Sequence, residues 1–197
     1  MAAYDRHTAL LVVDVQNDFA DPTGSLSVRG ATDILPRLNE EIRRAGGAGA
    51  MVVYTQDWHP ASTPHFAKDG GIWPVHCVAD SWGADFHPDL VVAGPSVRKG
   101  SSGEDGYSGF TMRDPTTGMT RPTELEAMLR QRGVGRVVIG GLATDYCVRA
   151  TVLDAADRGF DVTVLTDAVA AVDLQPGDGA RALDDMAAAG AALTTTA

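Results

Sequence analysis

Cys147 is one of two cysteines in the 197-residue chain, and its surroundings favour chemistry. It follows an apolar run that ends in two glycines, and it stands where a helical pattern begins. Unpaired amides and the helix dipole at such a start stabilise an anion, and amides in the turn can bind a developing oxyanion. Cys147 is therefore a candidate nucleophile, with packing in an apolar segment as the alternative. Cys77 lies in a loop rich in Trp, Pro and His, and we interpret it as a packing residue.

Two charged residues at predicted strand ends could support a thiolate. Asp14 follows five apolar residues, so burial would raise the pKa of its carboxyl group and suit it to accept a proton near neutral pH. Lys99 ends the segment SVRK, and a buried ammonium would offset a repulsion of about 4 kcal/mol between a carboxylate and a thiolate ~4 Å apart. Alternatively, Asp14 caps a turn and Lys99 is solvated. Both depend on proximity to Cys147 for a catalytic role.

A carboxylate and three imidazoles form a second candidate site. Asp57 and His59 lie in QDWHP, and His65 and His76 follow in the same loop-rich part of the chain. Their oxygen and nitrogen donors suit one divalent transition metal ion, such as zinc, iron or manganese. An Asp-x-His pair just after a strand can aim both side chains at one point. Histidines on the surface of a loop are the alternative interpretation.

Alternating strands and helices must position these residues. Apolar runs rich in β-branched residues predict strands at residues 8–15, 50–56, 96–99, 136–141, 161–167 and 191–196. Helical spacing predicts helices at residues 31–46, 123–133, 144–159 and 177–190. This pattern predicts an α/β fold, a doubly wound parallel sheet with helices on both faces. Ligands of such sheets bind at the carboxyl ends of the strands, where Asp14, Asp57, Lys99 and the turn that carries Cys147 are predicted to lie.

The chain length favours a single domain over residues 1–197, with a loop-rich segment at about residues 57–121. Loops that long within a compact domain are usually functional. The formal net charge is -10, and no segment gathers basic residues into a stripe that could neutralise phosphates. We therefore expect no nucleic-acid partner. The chain has neither a signal-peptide pattern nor an apolar run of ~20 residues, so we expect a cytoplasmic protein without a membrane partner. The surface composition indicates no clear interface, so the sequence does not distinguish a monomer from a homo-oligomer.

Several fragments resemble the nicotinamidase branch of the isochorismatase-like cysteine hydrolases. They are LLVVDVQNDF, TQDWHP, WPVHCV, DFHPDL, KG…YSGF and GGLATDYCV, and they extend in order over nearly the whole chain. Each fragment alone is a weak match, but their number and order make the resemblance specific. The resemblance implies a parallel sheet with helices on both faces. It also implies metal-dependent conversion of nicotinamide, and of pyrazinamide, to the acid and ammonia through a cysteine thioester, as part of NAD salvage.

The resemblance further implies roles for individual residues. Asp14, Lys99 and Cys147 correspond to the catalytic triad of the family. The amides of Ala143 and Cys147 correspond to its oxyanion hole, and a cis peptide is implied between Leu142 and Ala143. The metal ligands of the family fall on Asp57, His59 and His76, with His65 as an additional ligand in some members. The positions that line the substrate pocket fall on Phe19, Leu26, Trp73, Tyr107, Leu142 and Ala143.

Two departures from the family pattern leave substrate preference open. Tyr146 stands where many nicotinamidases have His, and KGSSGEDGYSGF carries extra acidic residues. A related amidase acting on a carbamoyl or ureido substrate is the nearest alternative, but those relatives generally lack the Asp-x-His cluster. Isochorismate-type vinyl ether hydrolases dispense with the cysteine. A catalytically silent scaffold would bind metal and release no ammonia.

Overall fold

A parallel sheet forms the centre of the protein in a computed structural model that describes residues 2–196. Within those residues the strands are β1 (Thr8–Val13), β2 (Met51–Asp57), β3 (Ser96–Lys99), β4 (Thr111–Arg113), β5 (Thr120–Pro122), β6 (Arg136–Leu142), β7 (Asp161–Ala170) and β8 (Ala192–Thr194). Six of them make one sheet in the order β3-β2-β1-β6-β7-β8, with all neighbours parallel. The other two, β4 and β5, form an antiparallel pair.

Helices cover both faces of the parallel sheet. They are α1 (Asn17–Ala20), α2 (Ala31–Gly47), α3 (Leu125–Gln131), α4 (Arg149–Asp157) and α5 (Asp178–Ala188). On β1, Leu10 and Val12 pack with residues of α2, whereas Leu11 and Val13 pack with residues of α3, α4 and α5. Because alternate side chains of a strand point to opposite faces and both faces are covered, β1 needs consecutive apolar residues, which run from Ala9 to Val13. The predicted doubly wound α/β fold is confirmed.

The sheet order places a crevice beside β1. The chain passes from β1 through α2 to β2 on one side, and the later strands β6 to β8 lie on the other side. Neighbouring loops therefore leave in opposite directions at the carboxyl ends of β1 and β6, which is where ligands bind in open α/β sheets. Asp14, the first residue after β1, stands at this point. That the whole chain forms a single domain stays a prediction.

The boundaries differ from the predicted ones mainly in the loop-rich segment. Besides the predicted strand β3, this segment contains the start of β5, the whole of β4, and two 3-10 turns at Ala67–Asp69 and Trp82–Ala84. Strands of three residues are too short to show an alternating pattern, so the sequence does not reveal β4 and β5. None of the helices between residues 2 and 196 combines the length and hydropathy needed to cross a membrane.

Candidate active site

Asp14, Lys99 and Cys147 meet at the carboxyl edge of the sheet. Asp14 follows β1, Lys99 ends β3, and Cys147 lies in the turn after β6. The Nζ atom of Lys99 is 2.7 Å from Oδ2 of Asp14 and 3.8 Å from Sγ of Cys147. Asp14 and Lys99 are fully buried, and Cys147 is 7% exposed. The fold thus brings together three side chains that are separated by up to 133 positions (147 − 14) in the sequence.

A second carboxylate explains how Lys99 remains charged in the interior. Its Nζ atom is 2.5 Å from Oδ1 of Asp57 and also donates to the carbonyl oxygen of Gly106. Burial alone would lower the pKa of Lys99, but Asp14 and Asp57 outweigh it and hold that pKa well above its usual value. One ammonium between two carboxylates gives each buried charge a partner, which avoids the large cost of an unpaired buried ion.

Asp14 is adapted to exchange a proton near neutral pH. Burial raises the pKa of its carboxyl group to about 6, and the Lys99 ammonium limits that rise. The hydroxyl of Thr55 donates a hydrogen bond to Oδ1 of Asp14 at 2.6 Å. Asp14 has a φ of 50°, a left-handed backbone conformation in which Asp is found more often than most residues. Its carboxyl group is therefore held in place and can titrate in the physiological range.

Cys147 is a neutral thiol in the resting protein. Burial raises its pKa well above the usual value, and the nearby Lys99 only partly opposes this. The expected stabilisation of a thiolate by the helix start and by lysine is therefore outweighed by burial. A buried thiol of this kind needs a neighbouring base before it can act as a nucleophile, since the thiolate is the reactive form.

The turn that carries Cys147 departs from a simple helix start in two ways: it begins with a cis peptide and continues as a π-helical turn. The peptide between Leu142 and Ala143 is cis, as the resemblance implied. Thr144–Val148 then form a π-helical turn, in which the amide of Val148 donates to the oxygen of Ala143 at 3.0 Å, and α4 begins afterwards. Before the turn, a Cβ on Gly141 would lie 2.1 Å from the oxygen of Val13, so only glycine fits where β6 approaches β1.

His59, His65 and His76 form a compact buried cluster next to the cysteine site. One ring nitrogen from each lies within 4.8 Å of the others. His76 Nδ1 is 2.8 Å from the oxygen of Pro74, and donation there leaves Nε2 as the free lone pair. Among the described residues, neither ring nitrogen of His59 has a hydrogen-bond partner, although both are buried. Buried polar atoms normally have partners, so this donor set fits a bound divalent ion.

The protonation states of this cluster also suit metal binding. Burial lowers the pKa of His65 to about 3 and also lowers the pKa of His76, so both rings are neutral at pH 7. For Asp57, burial alone would raise the pKa, but Lys99 and His59 together hold it below its usual value. Neutral imidazoles and an ionised carboxylate are the forms that coordinate metals. Oδ2 of Asp57 lies 3.6 Å from Nε2 of His59 and 3.8 Å from Nε2 of His76.

A narrow cleft opens between the thiol and the histidines. Its walls are formed by Phe19, Leu26, Val28, Asp57, His65, Trp73, His76, Tyr107, Ala143, Tyr146, Cys147 and Val172. Nε1 of Trp73 donates to the hydroxyl of Tyr107 at 2.7 Å, and the rings of Trp73 and Tyr146 meet edge to face at 4.8 Å. The aromatic rings therefore hold one another in position along one wall.

Known proteins share this fold. The model of the isochorismatase domain matches residues 8–197. The chain belongs to the isochorismatase family. It is 38% identical to a nicotinamidase of Escherichia coli (strain K12), over 96% of this chain and 95% of that protein. It is 42% identical to a pyrazinamidase of Pyrococcus horikoshii solved in complex with zinc, with a TM-score of 0.84 and coverage of 96% and 99%. PnC1 from L. infantum, solved in complex with nicotinate, is 33% identical, with a TM-score of 0.87 and coverage of 98% and 96%.

In this isochorismatase-family chain, most of the pocket positions implied by resemblance lie on the cleft. The exception is Leu142, whose fully buried side chain packs in the core with α2 instead of lining the cleft. Three wall residues were not among the predicted ones: Val28, Tyr146 and Val172. Tyr146 could have been found, because it adjoins the candidate nucleophile in the same turn. Val28 and Val172 are apolar residues in connecting segments, and nothing in their local sequence distinguishes them from core residues.

Proposed function

We propose that this protein is a nicotinamidase, which hydrolyses nicotinamide, and also pyrazinamide, to the carboxylic acid and ammonia. The observation that carries the proposal is the buried cluster of Asp14, Lys99 and Cys147, which opens onto an aromatic cleft beside three histidines. The similarity to nicotinamidases and to a pyrazinamidase over nearly the whole chain supports the same activity. The cleft is lined by the aromatic side chains of Phe19, Trp73, Tyr107 and Tyr146, which suits a single flat ring.

The reaction begins with a proton transfer between buried groups. Asp14, with a pKa of about 6, is ionised at neutral pH and accepts the proton of the Cys147 thiol. The Lys99 ammonium offsets the negative charge that moves onto sulfur, at 3.8 Å from it. The thiolate then attacks the carboxamide carbon of the substrate, and a C–S bond forms. The amides of Ala143 and Cys147 are the proposed donors to the oxyanion of this tetrahedral intermediate.

Ammonia leaves when Asp14 returns its proton to the substrate nitrogen. The C–N bond breaks, the carbonyl re-forms, and the substrate acid remains attached to Cys147 as a thioester. Asp14 is again ionised and accepts a proton from a water molecule that attacks the thioester. Cleavage of the C–S bond releases the acid, and the thiol recovers its proton from Asp14. Atoms and protons balance with one water consumed for each ammonia released.

Asp57, His59 and His76, with His65 as a fourth donor, would hold one divalent ion of zinc, iron or manganese. When bound, such an ion supplies a Lewis-acidic point beside the cleft. The residues of the chain contribute binding and orientation: Trp73 and Tyr107, linked by their hydrogen bond, present a rigid aromatic wall to a flat substrate. Phe19 closes the cleft next to His76, with ring centroids 5.4 Å apart.

Ammonia release measured for several amides tests this function directly. Nicotinamide and pyrazinamide should be hydrolysed, whereas ureido and aliphatic amides of similar size should react at least about tenfold more slowly, because they lack a ring to pack on the aromatic wall. Metal content is measured on the same sample. Faster turnover of a ureido or carbamoyl substrate would move the assignment to that class of amidase. Bound metal without ammonia release from any amide would identify a silent scaffold.

A further inference from the structure

Thr55, on β2, contacts the proposed general base twice. Its hydroxyl donates to Oδ1 of Asp14 at 2.6 Å and accepts the backbone N–H of Asp14 at 3.2 Å. The same N–H also points at the backbone oxygen of Thr55, at 3.3 Å. Thr55 is fully buried and does not line the cleft. A hydroxyl has a single hydrogen, so these contacts orient it toward the carboxylate.

The two oxygens of the Asp14 carboxylate therefore have different partners. Oδ1 is held by Thr55, and Oδ2 accepts from Nζ of Lys99 at 2.7 Å. Without the hydroxyl, the carboxylate is free to rotate and to pair both oxygens with the ammonium. That rotation would direct its lone pairs at Lys99 and away from Sγ of Cys147. A general base must hold its lone pair within hydrogen-bond reach of the proton that it abstracts.

The backbone of Asp14 gives Thr55 a second task. Asp14 adopts the left-handed conformation, with a φ of 50°, immediately after β1. Its N–H is shared between the backbone oxygen and the hydroxyl oxygen of Thr55. The hydroxyl of Thr55 therefore contacts both the left-handed backbone of Asp14 and the carboxylate that extends from it.

We propose that Thr55 is a positioning residue for the acid–base step, which holds Oδ1 of Asp14 away from Lys99 and so keeps the carboxylate oriented for proton exchange with Cys147. This inference rests on the proposed function, because the step that it serves is proton transfer between Cys147 and Asp14. Thr55 does not line the cleft, and its hydrogen bonds to the proposed base are the route by which it would influence the reaction. Its loss should lower the rate of the chemical step and leave substrate binding nearly unchanged.

A matched pair of variants separates the hydroxyl from the packing of Thr55. Thr55→Val keeps the shape and removes the hydroxyl, and Thr55→Ser keeps the hydroxyl and removes the methyl group. That methyl packs against Gly109, where an added Cβ would lie 3.1 Å from it. We expect Thr55→Val to lower kcat for nicotinamide roughly 10- to 100-fold, with KM changed less than about threefold. Thr55→Ser should retain kcat within about threefold even if its Tm falls.

Opposite results would overturn the positioning role. A Thr55→Val protein with kcat within threefold of the parent would show that the hydroxyl is dispensable. A Thr55→Ser protein as slow as Thr55→Val would assign the effect to packing. A rise in KM at unchanged kcat would place Thr55 in binding. Circular dichroism checks the fold of each variant, and Thr55→Ala, which removes the same hydroxyl, replaces Thr55→Val if the latter does not fold.

The rate at which iodoacetamide alkylates Cys147 supplies a readout that needs no turnover. Thr55→Val should react about tenfold more slowly than the parent, because fewer molecules have the base aimed at the thiol. A Cys147→Ala protein measures the background from Cys77. If the parent releases no ammonia, the proposed function fails, but a slower alkylation of Thr55→Val still supports the positioning role. Equal alkylation rates in the parent and Thr55→Val would overturn it.

Discussion

Asp57 lies between two buried polar clusters, a thiol cluster of Asp14, Lys99 and Cys147 and a histidine cluster of His59, His65 and His76. They differ in how many of their polar atoms have a partner within the protein. In the thiol cluster, Lys99 lies 2.7 Å from Asp14 and 2.5 Å from Asp57, so cation and carboxylates compensate one another. In the histidine cluster, both nitrogens of His59 are buried without a hydrogen-bond partner among the described residues. The first cluster is satisfied by its own members, whereas the second keeps buried donors without partners, which fits the proposed metal ion.

Asp57 makes the two clusters interdependent. Its Oδ1 atom contacts Lys99, and its Oδ2 atom faces His59 and His76. One carboxylate therefore serves as counter-ion to the Lys99 ammonium and as a candidate metal ligand. The comparison predicts different consequences of substitution in the two clusters. Removing Lys99 from the thiol cluster leaves unpaired buried charges, and removing Cys147 leaves no nucleophile. Removing a histidine should mainly weaken metal binding.

The largest effect on activity is expected from Cys147→Ala, which removes the proposed nucleophile from the thiol cluster. Ammonia release should fall by at least about 10⁴-fold, as for other enzymes that lose their nucleophile. The substitution leaves Asp14 and Lys99 paired, so the circular dichroism spectrum and Tm should stay close to those of the parent. An alanine variant that turns over at a measurable fraction of the parental rate would refute the nucleophile assignment.

Lys99→Met should mainly destabilise the protein. The variant leaves Asp14 and Asp57 buried together without a cation, which should lower the free energy of unfolding by about 3–5 kcal/mol. Urea unfolding measures this quantity. Adding Asp14→Asn to the variant removes one of the two uncompensated charges and should recover part of the loss. Equal stability of parent and Lys99→Met proteins would contradict the proposed compensation.

His59→Ala tests the histidine cluster. It should weaken binding of zinc by at least about 100-fold, since even residues that only support metal ligands change affinity 10- to 100-fold. Competition against a chelating dye measures the affinity, and activity should fall in parallel with metal content. His7→Ala is the matched control, because His7 is exposed and lies outside the cleft. Parental zinc affinity in His59→Ala would exclude His59 from the site.

The smallest expected effect is a pH dependence of kcat/KM, which tests whether Asp14 is the general base. The carboxyl group must be ionised to accept a proton, and its pKa is raised to about 6. As pH falls through 6, protonation removes the base, so kcat/KM should decrease about tenfold for each further pH unit. Rates between pH 4.5 and 8, with the fold checked at each pH, measure this limb. A flat profile down to pH 5 would mean that Asp14 is not the titrating base.

Strand ends are the most informative part of the sequence. The apolar runs before Asp14 and Lys99, and the glycines before Cys147, mark strand ends, and parallel strands bring such ends to one edge. For this reason the amino-acid sequence is enough to group residues that lie far apart in the chain. The loop-rich segment is less informative, because loop paths follow no period. His65 and His76 can be selected by residue type and by resemblance, but their meeting with His59 depends on that path.

Local sequence patterns do not predict the contact between Thr55 and Asp14. A threonine inside a strand is accounted for by its β-propensity, so nothing in YTQD signals a contact with the base. The contact exists because Val13 and Thr55 are paired across β1 and β2, which places the next residue, Asp14, against the hydroxyl. Val172 is similar: it follows β7 by two positions and reaches the cleft only through the course of the chain after that strand.

The sequence by itself determined the α/β fold, the strand ends and the residue types of both clusters, because hydrophobic period and donor chemistry are properties of the chain. Only the tertiary structure decided that Asp57 joins the clusters and that Thr55 holds Asp14. It also decided the protonation states, with a pKa of about 6 for Asp14 and a raised pKa for the Cys147 thiol. Burial and charges within a few ångströms set those values, and they act through space between residues that the sequence keeps apart.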